Sequence, residues 1–72
     1  MELKKGIYRH FKGNLYELVD IAKHSETLEP MVVYRALYGE GGLWVRPASM
    51  WEEWVERPDY QGPRFTLEEK RP

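Results

Sequence analysis

"LYELVDIAKH" (Leu15–His24) decides how this chain folds. It is long, carries β-branched and apolar residues between charged ones, and lies between two turn signals. "KGN" (12–14) precedes it and "SETLEP" (25–30) follows it. We read it as a single long strand flanked by two hairpins. A helix over these residues would end that reading.

The neighbours on either side complete the pattern. "GIYRHF" (6–11) and "MVVYRALY" (31–38) are rich in β-branched and aromatic residues and read as the partner strands. "GEGG" (39–42) supplies a further turn and "LWVR" (43–46) a fourth strand. Pro47 ends that strand because it has no ladder hydrogen bond to donate. In "SMWEEWVE" (49–56) the period changes: Ser49 and Glu52 have capping-box spacing, and Met50/Trp54 and Trp51/Val55 stand four apart. One or two helical turns are expected there, then a loop "RPDYQGP", a last strand "RFTL" (64–67) and a frayed "EEKRP".

Charge pairing tests the register. With "KGN" as a three-residue loop, Phe11 faces Leu15, His10 faces Tyr16, Arg9 faces Glu17 and Tyr8 faces Leu18. With "SETLEP" closing the second hairpin, Asp20 faces Arg35 and Ile21 faces Tyr34. Both charge pairs seek solvent, yet positions 17 and 20 differ in parity and would point to opposite faces of a regular strand. A bulge or sharp bend near Leu18–Val19 removes the conflict. The fold class expected is therefore mainly β: a small, strongly bent five-stranded barrel with a short helical turn before the last strand.

Seventy-two residues make one domain, with a core over 6–67, frayed ends and stability on the order of 5 kcal/mol or less. Ten aromatic residues (Tyr8, Phe11, Tyr16, Tyr34, Tyr38, Trp44, Trp51, Trp54, Tyr60 and Phe65) supply the buried area that a short chain otherwise lacks. Cysteine is absent. That excludes disulfides, thiolate metal sites and cysteine nucleophiles, and fits a reducing cytoplasm. No apolar run reaches membrane-spanning length, and "MELKKGIY" lacks the apolar segment of a signal peptide, so no membrane partner is expected. The net charge of −1 gives no general attraction to nucleic acid. The first twelve residues nevertheless hold Lys4, Lys5, Arg9 and Lys12 against Glu2, a basic edge that residues 13–56 do not share.

The motifs "HFKG", "HSET", "VVY" and "WVRP", with "GPRF" near the end, resemble in combination a bacterial family catalogued only as a domain of unknown function, number 1653. The resemblance covers roughly residues 6–65. It implies a small SH3-like barrel and brings no activity with it. Where that family carries Met-Phe after "WVRP", this chain has Met50-Trp51, an aromatic exchange. "ALYG" (36–39) echoes the "ALYD" of eukaryotic SH3 domains but stands in the third strand, and implies no polyproline binding.

"KHSET" (23–27) sets histidine, serine and a carboxylate side by side. Adjacent residues of a strand point to opposite faces, so His24 and Ser25 cannot act as base and nucleophile while extended. No strand-to-helix turn follows to supply an oxyanion hole. Ser25, Glu26 and Thr27 suit a polar turn whose side chains satisfy its backbone. No catalytic residue is assigned. Two histidines with Glu17, Asp20 and Glu26 in no recognisable ligand spacing define no metal site, and "YGEGG" matches no phosphate loop; no cofactor is expected.

The remaining set is Tyr8, His10, Tyr16, Tyr34, Trp44 and Arg46. Parity places the first three on one face, and Tyr34 joins them across the bend. Trp44 or Arg46 is added according to the register of its strand. These rings and a guanidinium form either the core with hydroxyl tips at its rim, or a pocket for a flat ligand or peptide. The functional reading is a non-catalytic binding module taking a peptide, nucleotide or small ligand, as a monomer or weak homodimer. The alternatives are a small enzyme using His10 or His24 with Tyr16, and a single-stranded nucleic-acid binder using the basic edge. Replacement Ser25→Ala is expected to leave any activity essentially intact; a loss of orders of magnitude with the fold preserved would overturn the turn reading of "KHSET".

Overall fold

The computed structural model describes residues 3–71. Glu2, counted with the basic edge, and Pro72, expected to fray, lie outside them. Seven strands and one helical turn follow in order: β1 (Gly6–His10), β2 (Leu15–Lys23), β3 (Pro30–Ala36), β4 (Leu43–Pro47), α1 (Ala48–Trp51), β5 (Trp54–Arg57), β6 (Tyr60–Pro63) and β7 (Phe65–Lys70). Mainly β, as expected, the chain forms a five-stranded antiparallel sheet ordered β4-β3-β2-β1-β7 and a separate β5-β6 hairpin. The five-stranded sheet is open, not the closed barrel expected. No ladder joins its edges β4 and β7 among the described residues. Side chains span that gap instead. Trp51 of α1, which packs on β3 and β4, stacks face to face on Phe65 of β7 with centroids 3.7 Å apart and planes at 3°.

The long strand is a strand, and it bulges at Val19, between Leu18 and Asp20, where the parity conflict required. The registers differ from those expected. Arg9 faces Leu15, Tyr8 faces Tyr16 and Ile7 faces Glu17, a shift of two residues. The cause is the turn. The Gly13 N–H donates to the His10 carbonyl and the His10 N–H to the Asn14 carbonyl, each at 2.8 Å, so the loop is Phe11–Gly13. A three-residue hairpin loop ends in a left-handed residue, and only Gly13 (φ 109°) suits that place. A shift of two keeps every side chain on its expected face. It does break the expected ion pair: Arg9 instead holds Glu68 of β7, Nε to Oε2 2.6 Å. Beyond the bulge Asp20 faces Val33, Ile21 faces Val32, and Arg35 sits opposite Glu17. Asp20 lies 3.7 Å from Lys5.

Three further expectations are corrected. The capping box does not form: α1 begins after Pro47, its N-cap position makes no side-chain bond, and Glu52 closes the turn. Val55 and Glu56 belong to a strand, because Pro58-Asp59 makes a two-residue turn that sets Arg57 against Tyr60. Residues 68–70 do not fray. Glu69 and Lys70 pair with Ile7 and Gly6, and the Arg71 N–H donates to the Lys5 carbonyl at 3.0 Å.

On the inner face of the bend, Tyr8, Leu18, Val32, Tyr34, Ala48, Trp51 and Phe65 form the core. Tyr8 and Tyr34 meet Trp51 edge-on at 5.3 and 5.1 Å. Where β1 runs closest to β7, a Cβ on Gly6 would collide with the Glu69 carbonyl oxygen, whereas Gly13 has open space around it. Gly13→Ala is therefore expected to cost about 1–2 kcal/mol through left-handed strain alone. Gly6→Ala, which adds a backbone collision, should cost roughly 3 kcal/mol or more. Urea denaturation of the two variants checks the order; equal losses would show that β7 yields at no cost.

Candidate binding face at the end of the first strand

All six residues singled out in the sequence share the inner face. Tyr8 opposes Tyr16, Tyr34 opposes both Leu18 and Trp44, and Arg46 opposes Val32. His10 follows Tyr8 by two positions. His10 and Tyr16, expected to be directly opposed, are diagonal neighbours with ring centroids 6.2 Å apart. The deep part of this face is filled. Tyr8 and Tyr34 are 5% and 8% exposed, packed under Trp51, and the Tyr8 hydroxyl donates to the Lys4 carbonyl at 2.6 Å. Burial raises the Tyr8 pKa above its ordinary value. These two side chains are core, not pocket wall.

The rim remains accessible. Half-buried Tyr16 shares a hydrogen bond of 2.6 Å with the Tyr38 hydroxyl. Burial first, then that bond and the neighbouring phenols, push its pKa up to about 12. Trp44 stands 60% exposed. The Arg46 guanidinium sits 5.9 Å from the centre of the Phe65 ring.

His10 terminates β1 with its ring among others: Phe11 at 4.6 Å, Phe65 edge-on at 5.0 Å and Tyr16 edge-on at 6.2 Å. Its Nδ1 accepts the Lys12 N–H at 3.1 Å, so the imidazole does for this turn what an aspartate or asparagine oxygen does in others. His24 repeats the device at the second turn. Its Nδ1 accepts from the Glu26 and Thr27 N–H groups at 3.1 and 3.3 Å, and the Glu29 N–H donates to Thr27 Oγ1 at 3.3 Å. "HFKG" and "HSET" are thus two histidine-capped turns. Ser25 lies within the second of them.

The pair required by the enzymatic alternative is not assembled. The Tyr16 hydroxyl is engaged by Tyr38, and both histidines commit Nδ1 to backbone. The basic edge does not stand as a unit either: Lys5 and Arg9 are matched by Asp20 and Glu68. Lys12 instead joins bases that the sequence reading passed over. Phe11 stacks on Tyr60 with centroids 5.4 Å apart and planes at 19°. Around the Phe11 ring lie the Arg57 and Arg64 guanidinium carbons at 5.1 and 5.7 Å and Lys12 Nζ at 5.9 Å. "RPDYQGPR" (57–64), a tyrosine between two arginines and two prolines, was the signal for it, but its folding back on "HFKG" spans some fifty residues.

Beside this cluster opens a cleft of about 290 Å³ lined by Arg9, His10, Phe11, Gly13, Tyr60, Thr66 and Glu68. A second cleft of about 270 Å³ lies between Leu3, Ile21, Pro30, Ala48, Ser49 and Glu52. It is mostly apolar, holds none of the six residues, and is reached by β2 beyond the bulge, through Ile21. Of the six, His10 alone lines either of these two clefts. Among the described residues no three histidine or carboxylate side chains are placed to share a metal ion, and no helix is long and apolar enough to cross a membrane.

The sequence model of a family described as "Protein of unknown function (DUF1653)" matches residues 6–67. The crystal structure of a protein belonging to DUF1653 from Bordetella bronchiseptica is similar over 99% of this chain and 94% of that one, with 33% identity and a TM-score of 0.87. No curated protein matches.

Desolvation holds the His10 pKa below its ordinary 6.5, and Arg64, Arg46, Lys12 and Arg57 push it the same way. The unfolded chain therefore takes up a proton before the folded one does. This contribution to stability is complete above about pH 6.5 and is lost as pH falls through the lower folded value. Urea denaturation between pH 7.5 and 5 should show His10→Asn, which keeps a turn acceptor, losing less stability than the wild type. Equal losses would place the acid sensitivity elsewhere.

Proposed function

The chain belongs to the family described as Protein of unknown function (DUF1653), and from the cleft beside His10 we propose that it is a non-catalytic binding module. In this reading it is one small domain related to SH3-like barrels, working as a monomer or weak homodimer in a reducing cytoplasm. The strong bend of β2 and the pairing of the last strand with the first support the barrel kinship. The lack of cysteine supports the compartment.

The observation that carries the binding reading is the cleft beside His10. It is walled by Phe11 and Tyr60, edged by Arg9 and Glu68, and open to solvent. Arg9 and Thr66, opposed in register, set it on the outer side of the sheet at the end of β1, while the middle of the inner face is filled by Trp51 and Phe65. Aromatic walls with a few polar groups at the edge are how ligand sites are generally built. Tyr16, Trp44 and Arg46 belong to the inner face, which His10 shares with the cleft, and Tyr8 and Tyr34 fill that face beneath them.

Backbone amide shifts recorded against a small library of peptides, nucleotides and aromatic fragments test the reading. Responses should centre on His10–Gly13, Tyr60 and Thr66. Responses confined to the apolar cleft at Leu3, Ile21 and Pro30 would move the site to the other end of the sheet and defeat this assignment.

A further inference from the structure

The His10 cleft itself is lined by one ion pair, Arg9 with Glu68, but the charges gathered over Phe11, one of its walls, do not cancel, and this bears on the class of ligand. Arg9 is neutralised by Glu68, with Nε to Oε2 at 2.6 Å and Nη2 to Oε1 at 3.3 Å. Arg64 is neutralised by Glu53, whose Oε1 accepts from Nη2 at 2.7 Å and Nε at 3.0 Å. Lys12 and Arg57 have no carboxylate partner among the described residues. Both side chains lie over the Phe11 ring, at 5.9 and 5.1 Å from its centre. Two uncompensated cations therefore lie over the ring that walls the cleft, outside its lining, on a chain whose net charge is −1.

That combination is specific in what it asks for. The two cations favour an anion, and phosphate is the anion that two separate point and fork donors hold well. The Phe11–Tyr60 pair offers ring edges and partial faces to a flat group a few ångströms away. A neutral aromatic compound would leave both cations unmatched, and a peptide carboxylate spreads its charge over two oxygens where a phosphate offers three. His10 fits the same picture: its Nδ1 is engaged, so the neutral ring adds a flat neighbour without a charge to satisfy.

Resting on the binding reading above, we infer that the cleft takes a nucleotide. Lys12 and Arg57 hold its phosphate, and the Phe11–Tyr60–His10 wall receives its base. The same chemistry is offered by a free nucleotide and by one residue of a single strand. No base-specific hydrogen bond is part of the inference, so discrimination among bases is expected to be slight.

The test titrates the full chain with adenosine 5′-monophosphate, adenosine, inorganic phosphate and a short oligodeoxyadenylate, followed by backbone amide shifts. Adenosine 5′-monophosphate should move His10–Gly13 and Tyr60, and adenosine should bind roughly tenfold more weakly for want of the phosphate. Lys12→Gln and Arg57→Gln, both exposed positions, should each weaken binding by roughly tenfold, whereas Lys23→Gln at the far end of the sheet should not. Affinity should fall as salt rises from about 50 to 200 mM. Oligodeoxyadenylate binding far above the mononucleotide identifies a single strand as the source; equal affinity identifies the free nucleotide.

Two results overturn the inference. One is nucleotide binding that both glutamine variants leave unchanged. The other is a cleft that answers aromatic fragments or acidic peptides and ignores every phosphate compound, which would leave the binding reading standing and remove only the nucleotide. Silence towards all probes would remove both.

Discussion

One aromatic stack organises this molecule. Trp51 and Phe65 lie parallel at 3.7 Å, one from a single helical turn and the other from the start of the last strand. The stack joins two parts of the chain that no hydrogen-bonded ladder connects. With Phe65 fixed, β7 runs back along β1. With Trp51 fixed, the helical turn stays pressed on β3 and β4. The rings of Tyr8 and Tyr34 meet the indole edge-on, so much of the core is one set of aromatic contacts. Such residues bring 150–250 Å² each into the interior, which lets a chain this short hold together without disulfides. Among the described residues the indole N–H has no partner, a desolvation cost of about 1–3 kcal/mol that the surrounding ring contacts must exceed.

Filling the bend in this way decides where a ligand can go. A concave sheet face usually invites a ligand into its middle, but here the middle is occupied by the protein's own rings. The open cleft lies instead at the end of β1, where the first turn folds against the β5-β6 hairpin. The same step brings together charges far apart in sequence. Lys12 comes from the first turn, Arg57 from the end of β5 and Arg64 from just before β7. Their common neighbour, Phe11, is tied to that region by its own N–H, which donates to the Arg64 carbonyl at 3.0 Å.

The sequence was legible wherever the information is local or depends on parity. Strand character for Leu15–Lys23, the bulge at Val19, the polar turn at "HSET" and a shared inner face for Tyr8, His10, Tyr16, Tyr34, Trp44 and Arg46 follow from alternation and turn chemistry. Register was read two residues off because Gly13 was placed in the middle of its loop, whereas the left-handed place is the last one. The β5-β6 hairpin was hidden by Trp51, Trp54 and Val55, whose spacing mimics a helix although the chain takes only one turn. The pairing of "EEK" with β1 could not be read locally, since nothing in three charged residues names a partner some sixty positions away. For the site the division is the same. His10 was found from its own strand, while Lys12, Arg57 and Arg64 gain meaning only through a long-range contact. Tyr8 and Tyr34 were placed on the right face, but only packing tells a wall from a filling.

The three tryptophans sit in very different surroundings. Trp51 is 1% exposed and stacked, while Trp44 and Trp54 are 60% and 62% exposed. The protein thus carries separate optical reporters of its interior and its surface. Long-wavelength fluorescence, and its quenching by dissolved ions or acrylamide, belongs to the two outer indoles and can stay nearly constant while the interior loosens. Near-ultraviolet dichroism, which needs a ring fixed in an asymmetric setting, belongs chiefly to Trp51. A state that keeps its strands but loses the central stack would lose that dichroic signal with far-ultraviolet ellipticity retained. An observer following quenching of the outer indoles alone would miss the change.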